Sequence, residues 1–159
     1  MKNTLTTGRL LVLICISFIF GSCQQTTSVP DKKNTDNIEK YLDTKVMETA
    51  YNGKVFSSHK VFMEQDNKIY LWAYMQEYYK RDGKTLFGSG WSVPLILTIE
   101  NSPEGIIVKS HTAPRDGELY SSDINDLFPE KIRQEIFDFP GTQEMRKLED
   151  ISIKRSEKF

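Results

Sequence analysis

The sequence predicts an α+β domain: an antiparallel sheet of three to five strands, with one N-terminal helix and one or two C-terminal helices packed on one face. Three observations predict it. The middle of the chain, Lys54 to Thr112, is a series of strand-like runs cut by turn signals, one of which, Lys68 to Lys80, alternates residue types at a period of two. The flanks repeat apolar residues at helical spacing instead. The connections between the middle segments are short, which suits an antiparallel meander.

The N-terminus differs in character. Met1 to Arg9 carries Lys2 and Arg9 and no acid, and Leu10 to Phe20 (LLVLICISFIF) is an apolar run with one serine. A basic start, an apolar run of about 7–15 residues and small residues after it describe a secretory signal. The run falls short of the about 20 residues of a membrane-spanning helix. The residues Phe20-Gly21-Ser22-Cys23 resemble the lipobox of bacterial lipoproteins. That resemblance implies cleavage before Cys23 by signal peptidase II and acylation of its thiol by a diacylglycerol. Phe20 stands where the family usually has Leu. The alternative is an ordinary signal peptide followed by an unmodified Cys23. Cys15 lies in the signal, so one Cys remains and no intramolecular disulfide forms. Without residues 1–22, 137 of the 159 residues remain, enough for one domain with a core. Lys2 and Arg9 leave too, so 19 of the 21 bases face 22 acids, a formal charge of −3. No basic stripe points to nucleic acid.

Gln24 to Thr35 is polar and aperiodic, so residues 23–35 are expected to be a flexible tether and 36–159 the single domain. Asp36, with Glu39 three residues on, has the pattern of a helix cap. Ile38, Leu42 and Val46 then predict a helix from Ile38 to Ala50, ended by Asn52-Gly53. Strands are expected at Lys54–Met63, Lys68–Tyr79, Val93–Glu100 and Ile106–Thr112. Gln65-Asp66-Asn67, Lys80-Arg81-Asp82-Gly83 and Asn101 to Gly105 supply turns. Pro129, with Ile132, Ile136 and Phe137 on one face, predicts a helix to Asp138, and Pro140-Gly141 breaks it. Thr142 caps a last stretch with Met145, Leu148 and Ile151 at three-residue steps. That stretch is read as a helix, although Ile151-Ser152-Ile153-Lys154 alone also fits a strand.

Several residues could carry chemistry. Leu86 to Pro94 (LFGSGWSVP) gathers glycines and serines, but no serine has glycines two residues away on both sides, as a nucleophile elbow requires. No helix or Lys-Ser/Thr follows for a phosphate cradle. It reads as a bend or bulge entering Val93–Glu100, with Trp91 beside the sheet, or as a ligand-contacting loop. In Lys68 to Lys80, Ile69, Leu71, Ala73 and Met75 share one face, and Tyr70, Trp72, Tyr74, Gln76 and Tyr78 the other. The aromatic face is either core or the wall of a cleft that binds by stacking. His59 and His111 lack metal-ligand spacing, though Glu64, Glu77 or Asp116 could join them if strands met. Arg115 could grip a carboxylate or phosphate, or pair with a nearby Asp. Asp116, Asp123 and Asp126 do not fit a calcium loop. No catalytic residue, metal site or cofactor is assigned.

The segments YLWAYMQEYY, GSGWSVPLILTI, PRDGELY and DINDLFPEKI are similar to a small domain of uncharacterised secreted bacterial lipoproteins, found also in tails of membrane metallopeptidase sensors. The resemblance spans about Phe56 to Ile136, implies no catalytic residue, and lacks the His-Glu-x-x-His of such peptidases. The expected protein is a cell-envelope lipoprotein, membrane-anchored through Cys23 and extracytoplasmic. It would be a non-catalytic module that binds a protein or small molecule through Tyr70, Trp72, Tyr74, Tyr78, Trp91 and Arg115. The alternative is a small envelope hydrolase using the Gly88–Ser92 loop with a histidine.

Overall fold

The computed structural model describes residues 31–159. The expected signal peptide, Cys23 and residues 24–30 of the tether lie outside the described residues. The order is helix α1 (Lys32–Lys45), strands β1 (Lys54–Gln65), β2 (Lys68–Arg81), β3 (Lys84–Ser102) and β4 (Gly105–Thr112), then α2 (Tyr120–Leu127), α3 (Glu130–Asp138) and α4 (Gln143–Ser156). The strands form one antiparallel sheet in the order β1-β2-β3-β4. The α+β class is as expected, but three helices follow the sheet rather than one or two.

Helix α1 begins before the expected Asp36. Asp31 is the cap, its carboxylate accepting from the Lys33 N–H at 3.1 Å. Residues 32–35 are therefore helix, not tether. The helix also stops earlier than Ala50, because the amides of Ala50, Tyr51 and Gly53 are bound elsewhere, by Glu77. The hairpin turns follow the sequence signals. Asp66 and Asn67 take φ of 52° and 58°, and Asp82 and Gly83 take 51° and 72°, the left-handed pairs a two-residue hairpin requires.

Strand β3 departs most from expectation. It starts at Lys84, not Val93, so LFGSGWSVP lies inside a strand. Leu86 pairs with Tyr79 and Val93 with Ala73, while a bulge between Gln76 and Tyr78 sets Glu77 opposite Gly88 and Ser89.

Both faces of β2 are apolar, and helices cover both, not one. The Ile69, Leu71, Ala73 and Met75 face joins Val93, Leu95 and Leu97 in an aliphatic core under Ile38 and Leu42 of α1. The Tyr70 and Trp72 face packs against Ile124, Phe128, Ile132, Ile136 and Leu148 of the C-terminal helices and their connection. Thr142 caps α4 by accepting from the Met145 N–H at 3.1 Å, which settles residues 143–156 as helix.

Side chains of the helices close parts of the sheet edges. At β4, Asn34 accepts from the Ile106 N–H at 3.0 Å and Asn37 donates to the Ile106 carbonyl at 3.1 Å. At β1, Asp43 accepts from the Ser57 N–H at 2.7 Å, and the Arg155 guanidinium donates to the Ser57 carbonyl. Arg155 also pairs with Glu39 at 3.3 Å and Asp43 at 2.8 Å, so the end of α4 is latched to α1 across the edge strand.

Candidate functional site

The glycine-serine stretch serves one buried carboxylate. Glu77 is fully buried and accepts from the amides of Ala50, Tyr51 and Gly53 at 2.8–2.9 Å, from Ser89 N–H at 3.1 Å and from Ser89 Oγ at 2.9 Å. Burial alone would raise its pKa; the amides of Gly53, Ser89, Tyr51 and Ala50 outweigh it and hold it at about 2. The charged form is thus stabilised by a ring of donors, an anion nest whose anion is a side chain. The glycines make room. A Cβ at Gly88 would collide with the Glu77 carboxylate, and one at Gly53 with the Tyr78 carbonyl. A Cβ at Gly90 would stand 2.7 Å from the Gln76 amide oxygen. Neither glycine of the stretch needs a left-handed backbone; each needs space.

The serines have structural partners. Ser92 Oγ accepts from the Trp72 indole at 2.8 Å and Ser89 Oγ donates to Glu77. Neither hydroxyl is bonded to a histidine among the described residues. His111 Nδ1 lies 3.1 Å from the Tyr41 hydroxyl, tying β4 to α1. His59, on β1, is partly buried, and its Nδ1 is sealed from solvent with no hydrogen-bond partner. Burial, and then the nearby Arg155 cation, push its pKa down to about 4. Among the described residues no three His, Cys, Asp or Glu side chains gather to hold a metal ion.

The aromatic face is core rather than a cleft wall. Tyr70, Trp72 and Tyr78 are 7%, 4% and 2% exposed, and Phe128, Phe139 and Phe56 pack against their rings. Two of these side chains find polar partners inside: the Trp72 indole with Ser92, and the Tyr78 hydroxyl with Ser152 at 3.3 Å. Tyr74 is half-buried at the margin, and burial, then Glu149 and Tyr78, push its pKa to about 12. Trp91 lies on the opposite face, against the aliphatic core. Arg115 is exposed, but its fork is taken: Nε and Nη2 reach the two oxygens of Asp123 at 2.9 and 2.6 Å, and its own N–H adds a bond of 2.8 Å. The Arg115 side chain, then its amide, hold Asp123 at about 2. The pair fixes the loop to α2. Tyr70, Trp72 and Tyr74 meet in the aromatic cluster, but Trp91 lies on the opposite face and Arg115 is taken by Asp123, so the six expected contact residues do not form one site.

An opening forms where no motif announced one. A groove of about 1220 Å³ runs beside β1 from Ser58 to Gln65, between the first turns of α1 and Ile151 of α4. Asp31, Glu39, Glu64 and Asp66 give it acidic walls; Ile38, Val61 and Met63 give it apolar ones. His59 lines it. The sequence showed a long strand here, but only the placement of α1 over the sheet turns its margin into a groove. Among the described residues no helix is long and apolar enough to cross a membrane. No protein-family profile, no curated protein and no solved structure matches this chain.

Proposed function

We propose that this chain is an extracytoplasmic lipoprotein, held at the membrane by acyl chains on Cys23, whose domain is a non-catalytic binding module for a protein or small molecule. The observation that carries the anchor is the run Leu10–Phe20 followed directly by Gly21-Ser22-Cys23. Two acyl chains suffice for stable anchoring, with each buried methylene contributing about 0.8 kcal/mol. Support for a non-catalytic role comes from where the reactive groups are spent. Glu77, Ser89, Ser92, Asp123 and Arg115 all hold pieces of the fold together. No observation favours the hydrolase reading, which would need a serine hydroxyl within about 3 Å of a histidine nitrogen.

Metabolic labelling tests the anchor. Labelled palmitate is expected on the wild-type chain and to be absent from Cys23→Ala, with unprocessed chain accumulating under globomycin. Equal labelling of Cys23→Ala would overturn the anchor.

A further inference from the structure

The outer edge of β1 combines an open ladder with the groove. Ser57 opposes Met75, and its N–H and C=O point away from β2, where Asp43 and Arg155 take them. Backbone groups alternate along an antiparallel strand, so those of His59 and Val61 point outward as well. Among the described residues no strand pairs with this edge. The open stretch ends at a bulge between Val61 and Met63. Edge strands left this way template the addition of another strand.

Three features say what kind of chain fits. The groove, at about 1220 Å³, exceeds the roughly 300–1,000 Å³ of small-molecule pockets. Its carboxylates outnumber its cations: Lys60 is paired with Glu144 at 3.4 Å and Glu39 with Arg155, while Asp31, Glu64 and Asp66 make no ion pair among the described residues. Apolar contact is on offer from Val61, 40% exposed, and Ile151, 42% exposed. The unpartnered Nδ1 of His59 adds a buried polar atom at the groove wall.

We infer that this edge takes an extended, lysine- or arginine-bearing segment of a partner protein as an added strand. Its main chain pairs with His59 and Val61, and its cations face Asp31, Glu64 and Asp66. The inference rests on the binding-module reading and names its site and its partner's chemistry. The open ladder spans two outward residues, so main-chain pairing fixes orientation while charge and apolar contact add affinity.

The probe is a blocked octapeptide of alternating lysine and valine, titrated into full-length protein in detergent micelles. Its counterpart with glutamate for lysine is the control. Backbone amides are followed by NMR hydrogen exchange. The lysine peptide is expected to bind, to slow exchange at His59 and Val61, and to bind at least about tenfold tighter than the glutamate peptide. Val61→Pro removes an outward N–H at an edge position and is expected to weaken binding about tenfold. Glu64→Lys, an exposed change, is expected to weaken it about threefold or more without affecting the fold. It decides the matter if Val61→Pro does not fold.

Several results would overturn the proposal. One is no binding, or equal binding of the two peptides. Another is binding with unchanged exchange at His59 and Val61, which would remove this site yet leave the module reading standing. A third is protection of these amides in the free protein, either independent of concentration, meaning that residues 24–30 occupy the edge, or rising with it, meaning a second copy does. Palmitate labelling at Cys23 is read separately, so loss of the anchor and loss of this site are distinguishable.

Discussion

At the scale of single residues, Glu77 and His59 are opposite solutions to burying a titratable group. Glu77 stays charged because five donors surround it; Glu77→Ala orphans those donors and is expected to cost about 3 kcal/mol or more, read from the urea midpoint. Gly88→Ala pushes a methyl into the same carboxylate and is expected to cost about 1–3 kcal/mol, with the double variant less than additive. His59 stays neutral instead. Its folded pKa of about 4 lies below the ordinary 6.5, so the unfolded chain takes up a proton first as the pH drops. Stability is therefore expected to fall between pH 6.5 and 4 and then level off for this group, by up to about 3 kcal/mol. His59→Asn should flatten that window in denaturant titrations across pH. The Glu77 contribution is lost lower, as the pH falls from 4.5 through about 2, so the two groups are separable by pH alone.

At the scale of elements, α1 does more than cover a face. Its apolar side, Ile38 and Leu42, closes the aliphatic core, while the side chains of Asn34 and Asn37 reach β4, that of Asp43 reaches β1, and that of Glu39 reaches Arg155 of α4. Leu42→Ala is expected to cost about 2–5 kcal/mol, since Leu42 is 0% exposed. Asn37→Ala should cost nearer 1 kcal/mol and speed exchange along β4 more than along β2. Much of this layout was legible. Period-two alternation marked β2, strand-like runs between turn signals marked β1 and β4, and Asp66-Asn67 and Asp82-Gly83 marked the hairpin turns. The first half of β3 was hidden because Gly88, Ser89 and Gly90 have loop composition; their reason is a carboxylate on the neighbouring strand. Helix α2 was hidden because Ile124 is its sole buried apolar side chain. The aromatic residues misled for a related reason: Tyr and Trp suit a cleft or a core that supplies partners, and Ser92 and Ser152 supply them here. The groove left no trace in the sequence, because it is made by residues of α1 and β1 meeting across distance.

At the scale of the whole molecule, the fold is a sheet between two unlike layers, one helix over aliphatic strands and three over an aromatic face. Arg155 joins those layers around the β1 edge, bonding Glu39, Asp43 and the Ser57 carbonyl and lying 6.0 Å from the Phe56 ring. Arg155→Ala leaves two neighbouring carboxylates and a strand carbonyl without their cation, and is expected to cost about 2–4 kcal/mol in thermal or urea unfolding. Lys at this position should recover less than half, since an ammonium cannot fork between two acids and a carbonyl. This contact has a consequence for how the domain is made. Asp43 waits for a partner 112 residues later in the chain. During vectorial synthesis the first helix and strand emerge with that corner unfinished, and it closes only when the last turn of α4 arrives. A premature stop that removes Arg155 would thus undo the beginning of the fold before it disturbed the middle.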